Sequence, residues 1–241
     1  MQWLIFGATG YTGSALLSVC LEQGHGVWAH VRPDSNRRQW IERRCATHDN
    51  VSINVLDFEP DAIEDLITQS QATHIALCLG TTRKQSKLAQ KSGQRFGYNG
   101  IDRDLSLMVI DAAIRCASSA RICYVSSMGA DKPRGNAYLQ ARYDVEQALM
   151  SSGKEYIIVR PAFISGPDRQ SFRLGERVGA VLGDSILGLG GLLGFKKTEI
   201  AYRSMDGEEL AKGICAAAER AEVAQLLYPQ HLRHQIKMRY D

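Results

Sequence analysis

Ser127 is followed eleven residues later by Tyr138, and Arg142 stands four residues beyond Tyr138. On a helix, that last spacing puts the phenol and the guanidinium on one face. A serine and a tyrosine hydroxyl aimed at one carbonyl oxygen can polarise it and exchange its proton. A neighbouring cation favours the ionised form of such a tyrosine. The hydride for a reduction would have to come from a bound cofactor. By spacing alone, a surface tyrosine and arginine on an ordinary amphipathic helix is the better reading of Tyr138 and Arg142.

A second group of residues speaks for such a cofactor. The apolar run over residues 1–6 breaks into Gly7-Ala8-Thr9-Gly10-Tyr11-Thr12-Gly13, and an amphipathic stretch over 14–23 follows. This order reads as strand, glycine turn and helix. The first glycine permits a sharp bend, the second lets a pyrophosphate approach the backbone, and the third lets helix and strand pack closely. The helix N-terminus adds unpaired N–H groups and partial positive charge. The expectation is a dinucleotide held by Gly7, Thr9, Gly10, Tyr11, Thr12 and Gly13.

The end of the second strand bears on which dinucleotide. An acidic residue there usually takes the ribose hydroxyls, but this chain reads His30-Val31-Arg32-Pro33-Asp34, with Arg37 and Arg38 close behind. A guanidinium can hold a 2′-phosphate in a bidentate way. NADP(H) is therefore the preferred cofactor, with NAD(H) as the alternative. Asp57 and Phe58 end the third strand and are expected at the adenine, although Asp57 equally suits a helix cap. Leu79, Gly80 and Thr81 should line ribose and pyrophosphate. Ser126 and Pro161 end the fifth and sixth strands. Together with Tyr138 and Arg142 they complete the expected cofactor contacts.

These positions require a particular scaffold. Apolar runs at 3–6, 26–31, 51–56, 74–79, 122–126 and 156–160 read as strands. Amphipathic segments at 60–69, 99–116, 137–151 and 205–220 read as helices. Continuous apolar strands are those covered on both faces, and strand–helix alternation implies a parallel sheet. The predicted fold is α/β, a Rossmann-like doubly wound parallel sheet forming a single domain over 1–241. Ligands in such sheets sit at the carboxyl ends of the strands. Residues 225–228 and 235–238 read as closing strands. The glycine-rich stretch within 166–197 reads as a small C-terminal substrate-side lobe or lid, with a subunit contact, and so a homodimer, as the alternative.

Composition excludes several classes. The 44% hydrophobic and 23% charged content is that of a folded globular chain, and the net charge of +3 is too small to imply nucleic acid. No apolar run reaches the ~18 residues a membrane span needs, and no signal peptide is read, so a cytoplasmic protein with no membrane partner is expected. The six cysteines form no C-x-x-C pair. They read as reduced thiols, with no metal site.

Several segments together resemble the short-chain dehydrogenase/reductase superfamily, in particular its atypical, Tat-interacting-protein-like members and their NmrA-like relatives. They are the glycine turn, Cys78-Leu79-Gly80-Thr81-Thr82-Arg83, Asp102-Arg103-Asp104, Ser126-Ser127-Met128-Gly129-Ala130-Asp131, Tyr138-Leu139-Gln140-Ala141-Arg142 and Arg160-Pro161. The resemblance implies a serine–tyrosine–lysine site in which Ser127 polarises the carbonyl and Tyr138 is the acid/base. Arg142 stands where the superfamily has lysine. Arginine keeps the charge but is forked, and it does not relay protons. An NADP(H)-dependent oxidoreductase acting on a small carbonyl or alcohol is therefore expected, against a non-catalytic dinucleotide-binding regulator. A nucleotide-sugar epimerase or dehydratase is disfavoured, because the chain after Pro161 is short for a sugar lobe.

Overall fold

A computed structural model describes residues 1–80, 98–116, 118–162, 164, 204–220 and 222–240. Its centre is a seven-stranded sheet. The strands are β1 (Gln2–Phe6), β2 (Gly26–Val31), β3 (Val51–Val55), β4 (His74–Leu77), β5 (Arg121–Val125), β6 (Tyr156–Val159) and β7 (Ala224–Leu227). Their order is β3-β2-β1-β4-β5-β6-β7. Every neighbouring pair is parallel. This is a Rossmann-like α/β fold, as the alternation of apolar and amphipathic segments predicts. The strand order reverses between β1 and β4, where such sheets open a crevice for ligands.

The period-2 geometry of a strand sends alternate residues to opposite faces. Trp3 and Ile5 join one core, with Leu16, Leu17 and Cys20 of α1 (Tyr11–Glu22). Ile41 and Cys45 of α2 (Arg38–Cys45) join the same core. Leu4 and Phe6 join the other core, with Ile63 and Leu66 of α3 (Pro60–Ser70). That second face also holds α4 (Leu105–Arg115) and α5 (Ala137–Ser151). α4 is entered through a π-helical turn, Tyr98–Asp104. The sequence reads one continuous helix over 99–116, and the wider turn is a local departure of the kind often found at functional sites.

Two elements differ from the sequence reading. Residues 235–238 are not a strand. They lie in α7 (Pro229–Tyr240), whose buried residues Leu232 and Gln235 stand three apart, a helical period. Leu232 packs on α6 (Gly207–Ala218), where a Cβ on Gly213 would lie 3.0 Å from it. The basic segment after β2, to which the sequence reading gave no element, is the helix α2. All six cysteines are free thiols. No helix among the described residues is long and apolar enough to cross a membrane.

Candidate active site

The glycine turn divides its labour. Gly7 has φ +82°, and a Cβ on it would lie 2.6 Å from the Cys78 carbonyl oxygen. A Cβ on Gly13 would lie 2.2 Å from the Gly7 oxygen. Both positions are closed by the protein's own backbone. At Gly10 the nearest atom would be the Gly7 oxygen at 3.1 Å, and Gly10 is exposed. Gly10 caps α1 with no side-chain hydrogen bond, so the dipole of that helix opens onto this space. A bridging pyrophosphate fits the cradle.

At the ends of β2 and β3, where the adenosine is expected, Arg32 is half exposed and lies 3.6 Å from Asp34. Arg37 reaches further in. Its Nη1 donates to the Thr9 carbonyl at 2.7 Å, and its guanidinium lies 4.1 Å from the Trp40 ring centroid. Asp57 is exposed at the end of β3, while Phe58 packs on His30 and Phe6. Burial lowers the His30 pKa to about 4. The neutral ring therefore donates from Nε2 to the Leu56 carbonyl at 3.0 Å. The aromatic floor beneath β2 and β3 thus carries no charge.

Around Tyr138, Asn136 caps α5. Its Oδ1 accepts the N–H groups of Tyr138 and Leu139 at 3.0 and 3.2 Å, which fixes Tyr138 in the first turn. Arg142 lies one turn on, with its Cζ 5.2 Å from the Tyr138 ring centroid. Its Nη1 donates to the carbonyls of Leu79 and Val125 and to the Tyr124 hydroxyl, at 3.1, 2.9 and 3.2 Å. Its Nη2 donates to Leu79 at 3.1 Å and to Asp102 Oδ1 at 2.6 Å. Burial works against this charge, but Tyr124, Tyr138 and Asp102 outweigh it and hold the Arg142 pKa well above the ordinary value. Burial likewise pushes the Tyr124 phenol up to about 12. A Cβ on Gly80 would come within 3.0 Å of Arg142 Nη2, so the guanidinium lies directly against that turn.

Ser126 and Ser127 diverge. Ser126 is buried and donates its hydroxyl to Glu146 Oε1 at 2.5 Å, so it turns into α5. Ser127 is half-buried, and among the described residues its Oγ makes only a long contact, 3.4 Å, to the Met128 carbonyl. Of the two, Ser127 has the hydroxyl available to a ligand. Pro161 is buried, and its carbonyl accepts the Met128 N–H at 2.9 Å.

The sequence pattern of the NAD(P)H-binding family matches residues 7–187, from the first glycine of the turn onward. The chain belongs to this NAD(P)H-binding family. Over 173 residues it is 30% identical to Protein HTATIP2 of Rattus norvegicus, a match covering 71% of this chain and 66% of that protein, just under two thirds of its length. Among solved structures, it is similar to a putative NAD-dependent epimerase/dehydratase from Bacillus halodurans (TM-score 0.67, 19% identity, 98% of this chain and 99% of that one). It is also similar to the Bordetella bronchiseptica enzyme WbmH in complex with NAD+ (TM-score 0.66, 15% identity, 92% and 73%). At these identities the solved structures establish the shared fold.

For a member of the NAD(P)H-binding family, the described residues bring the expected groups to one edge of the sheet. Gly7, Thr9 and Gly10 form the turn, and Tyr11, Thr12 and Gly13 open α1. Leu79 and Gly80 follow β4, Ser126 and Ser127 follow β5, and Pro161 follows β6. The Tyr11 hydroxyl accepts the Gly207 N–H at 3.2 Å and ties α1 to α6. Thr81 and the stretch 166–197 lie outside the described residues. Sequence reasoning assigned no role to Asp102, Asn136 or Glu146. Asn136 was the findable one, since asparagine before an amphipathic run is a helix-start signal. Nothing in the spacing marks Asp102 and Glu146 as buried.

Proposed function

We propose that the protein is an NADP(H)-dependent oxidoreductase acting on a small carbonyl or alcohol compound. The observation that carries this reading is Tyr138 held beside the Arg142 guanidinium, with Cζ 5.2 Å from the ring centroid, at the edge where the glycine turn opens. Membership of the NAD(P)H-binding family supports the cofactor class. Arg37 on the glycine turn, with Arg32 nearby, supports NADP(H) over NAD(H).

In this reading Ser127 Oγ donates to the carbonyl oxygen, and Tyr138 Oη transfers the proton to or from it. When bound, the nicotinamide supplies or takes the hydride. Arg142 lies against the Tyr138 ring as a fixed cation. Its Nη donors are already directed at Leu79, Tyr124, Val125 and Asp102, and a guanidinium passes no proton. Ribose hydroxyls would then be held by groups other than this side chain.

The test is NADPH oxidation with a panel of small aldehydes and ketones, in wild type and Tyr138→Phe. Turnover should fall roughly 100-fold or more in the variant while NADPH binding is kept. The engaged state of Arg142 favours a second reading, a dinucleotide-binding regulator without turnover. NADPH binding with no oxidation by any carbonyl would select it.

A further inference from the structure

We propose that Glu146 is a positioning residue that holds Ser127 and Tyr138 in register. The proposal rests on the oxidoreductase reading and adds to it a residue outside the reacting groups. Glu146 lies two turns beyond Tyr138 on α5 and is fully buried. Its carboxylate takes three hydrogen bonds. Ser126 Oγ donates to Oε1 at 2.5 Å, Arg160 Nε to the same oxygen at 2.9 Å, and Arg160 Nη2 to Oε2 at 2.5 Å.

These partners flank Ser127 on both sides. Ser126 immediately precedes it. Arg160 immediately precedes Pro161, whose carbonyl holds the Met128 N–H, and Met128 immediately follows Ser127. Arg160 is itself fixed, because its Nη1 donates to the Tyr228 hydroxyl at 2.6 Å and its backbone N–H to the Leu227 carbonyl at 2.8 Å. One carboxylate on the helix of Tyr138 therefore governs the loop of Ser127.

Stability is a poor reason for this arrangement. Desolvating two charges largely cancels their attraction, and a well-packed apolar pair would serve as well. Charge-assisted, forked contacts instead impose strict geometry. Arg142, one turn before Glu146, makes the matching attachment to the ends of β4 and β5. Two attachments of opposite charge, one turn apart, stop α5 from sliding or rolling along the strand ends. Such precision matters at a reacting centre, where a misplacement of about 1 Å can cost roughly 100-fold in rate.

The test places 3-fluorotyrosine at position 138 and follows its fluorine resonance in the NADP⁺ complex. Glu146→Gln keeps the shape but turns an amide toward the Arg160 donors. Ser126→Ala removes the serine arm and leaves the ion pair whole, so it covers the case in which Glu146→Gln does not fold. Both variants should displace or double the resonance. In Glu146→Gln, NADPH affinity should stay within about twofold, and kcat on a carbonyl substrate should fall about tenfold with KM less affected. Gln147→Ala, at an exposed neighbour, should leave the resonance unchanged. A single unshifted resonance in every folded variant, with only the melting temperature lowered, would overturn the proposal. If the wild type turns over no carbonyl, the oxidoreductase reading fails, while the fluorine measurement still decides the role of Glu146.

Discussion

Asp102 and Arg142 meet at 2.6 Å where the side chains are 0% and 6% exposed. The pair joins the π-helical turn before α4 to α5, and the guanidinium continues to the backbone carbonyls of Leu79 and Val125. An arginine so placed couples two strand ends to the helix that carries Tyr138. A lysine ammonium is a compact group with three donors and cannot span the same acceptors.

Arg142→Lys should therefore destabilise the fold by about 1–3 kcal/mol, since buried acceptors lose their donors. Asp102→Ala should cost more, about 3–5 kcal/mol, because it strands a buried cation. Urea unfolding of both variants checks the order. Equal stability of Arg142→Lys and wild type would mean that the ammonium finds partners the geometry does not offer.

The inner strands β1, β4, β5 and β6 were legible because strands buried on both faces read as apolar runs. The glycine turn was legible because close backbone packing admits only glycine at Gly7 and Gly13. The stretch 235–238 misled because Gln-Ile-Lys-Met alternates over four residues, while the deciding Leu232 lies outside that window. The reach of Arg37 depends on α2, which buries only Ile41 and Cys45 and so advertises itself weakly. Burial of Asp102 and Glu146 is a tertiary fact, created when α5 docks on the strand ends, and acidic residues on a helix ordinarily face water.

The glycines give a cleaner separation of folding from binding. Gly13→Ala and Gly7→Ala each drive a Cβ into backbone, at 2.2 and 2.6 Å, and Gly7 also has the φ that disfavours alanine. Both should lower stability by more than about 2 kcal/mol. Gly10→Ala meets its nearest atom at 3.1 Å and should fold, yet it should weaken dinucleotide binding by about tenfold or more because its methyl enters the cradle. Thermal melts and NADPH titrations of the three variants test this. Undiminished NADPH affinity in Gly10→Ala would remove the pyrophosphate from this turn.

Discrimination between the two dinucleotides should follow Arg37 more than Arg32. Arg37 already holds the Thr9 carbonyl, and Arg32 is half exposed beside Asp34. Arg37→Ala should weaken NADPH binding by roughly 10- to 100-fold and change NADH little, as expected for lost charge-assisted bonds to a phosphate. Arg32→Ala should show a smaller effect of the same kind. Trp40 lies against Arg37, so its fluorescence should respond to NADPH in the wild type. Parallel losses for NADPH and NADH would show that Arg37 supports the turn without reading the 2′-phosphate.

Stability should also fall between neutral and mildly acidic pH, through two histidines. Burial lowers both His30 and His74 to about 4, with Arg121 adding to the effect at His74. The unfolded chain takes up these protons near pH 6.5, and the folded chain only near 4. Between those values the unfolded state binds more protons, so stability is complete above about pH 6.5 and declines as pH falls toward 4. By pH 5 the loss should be of the order of 2 kcal/mol per histidine, at a pH where most carboxylates are still charged. His30→Phe removes one titrating group and keeps a ring against Phe6 and Phe58. The variant is expected to be less stable at pH 7, because the Leu56 carbonyl loses its donor, but to lose only about half as much between pH 7 and pH 5. Urea midpoints at the two pH values give both quantities. An undiminished pH dependence in His30→Phe would show that His30 does not titrate in this way.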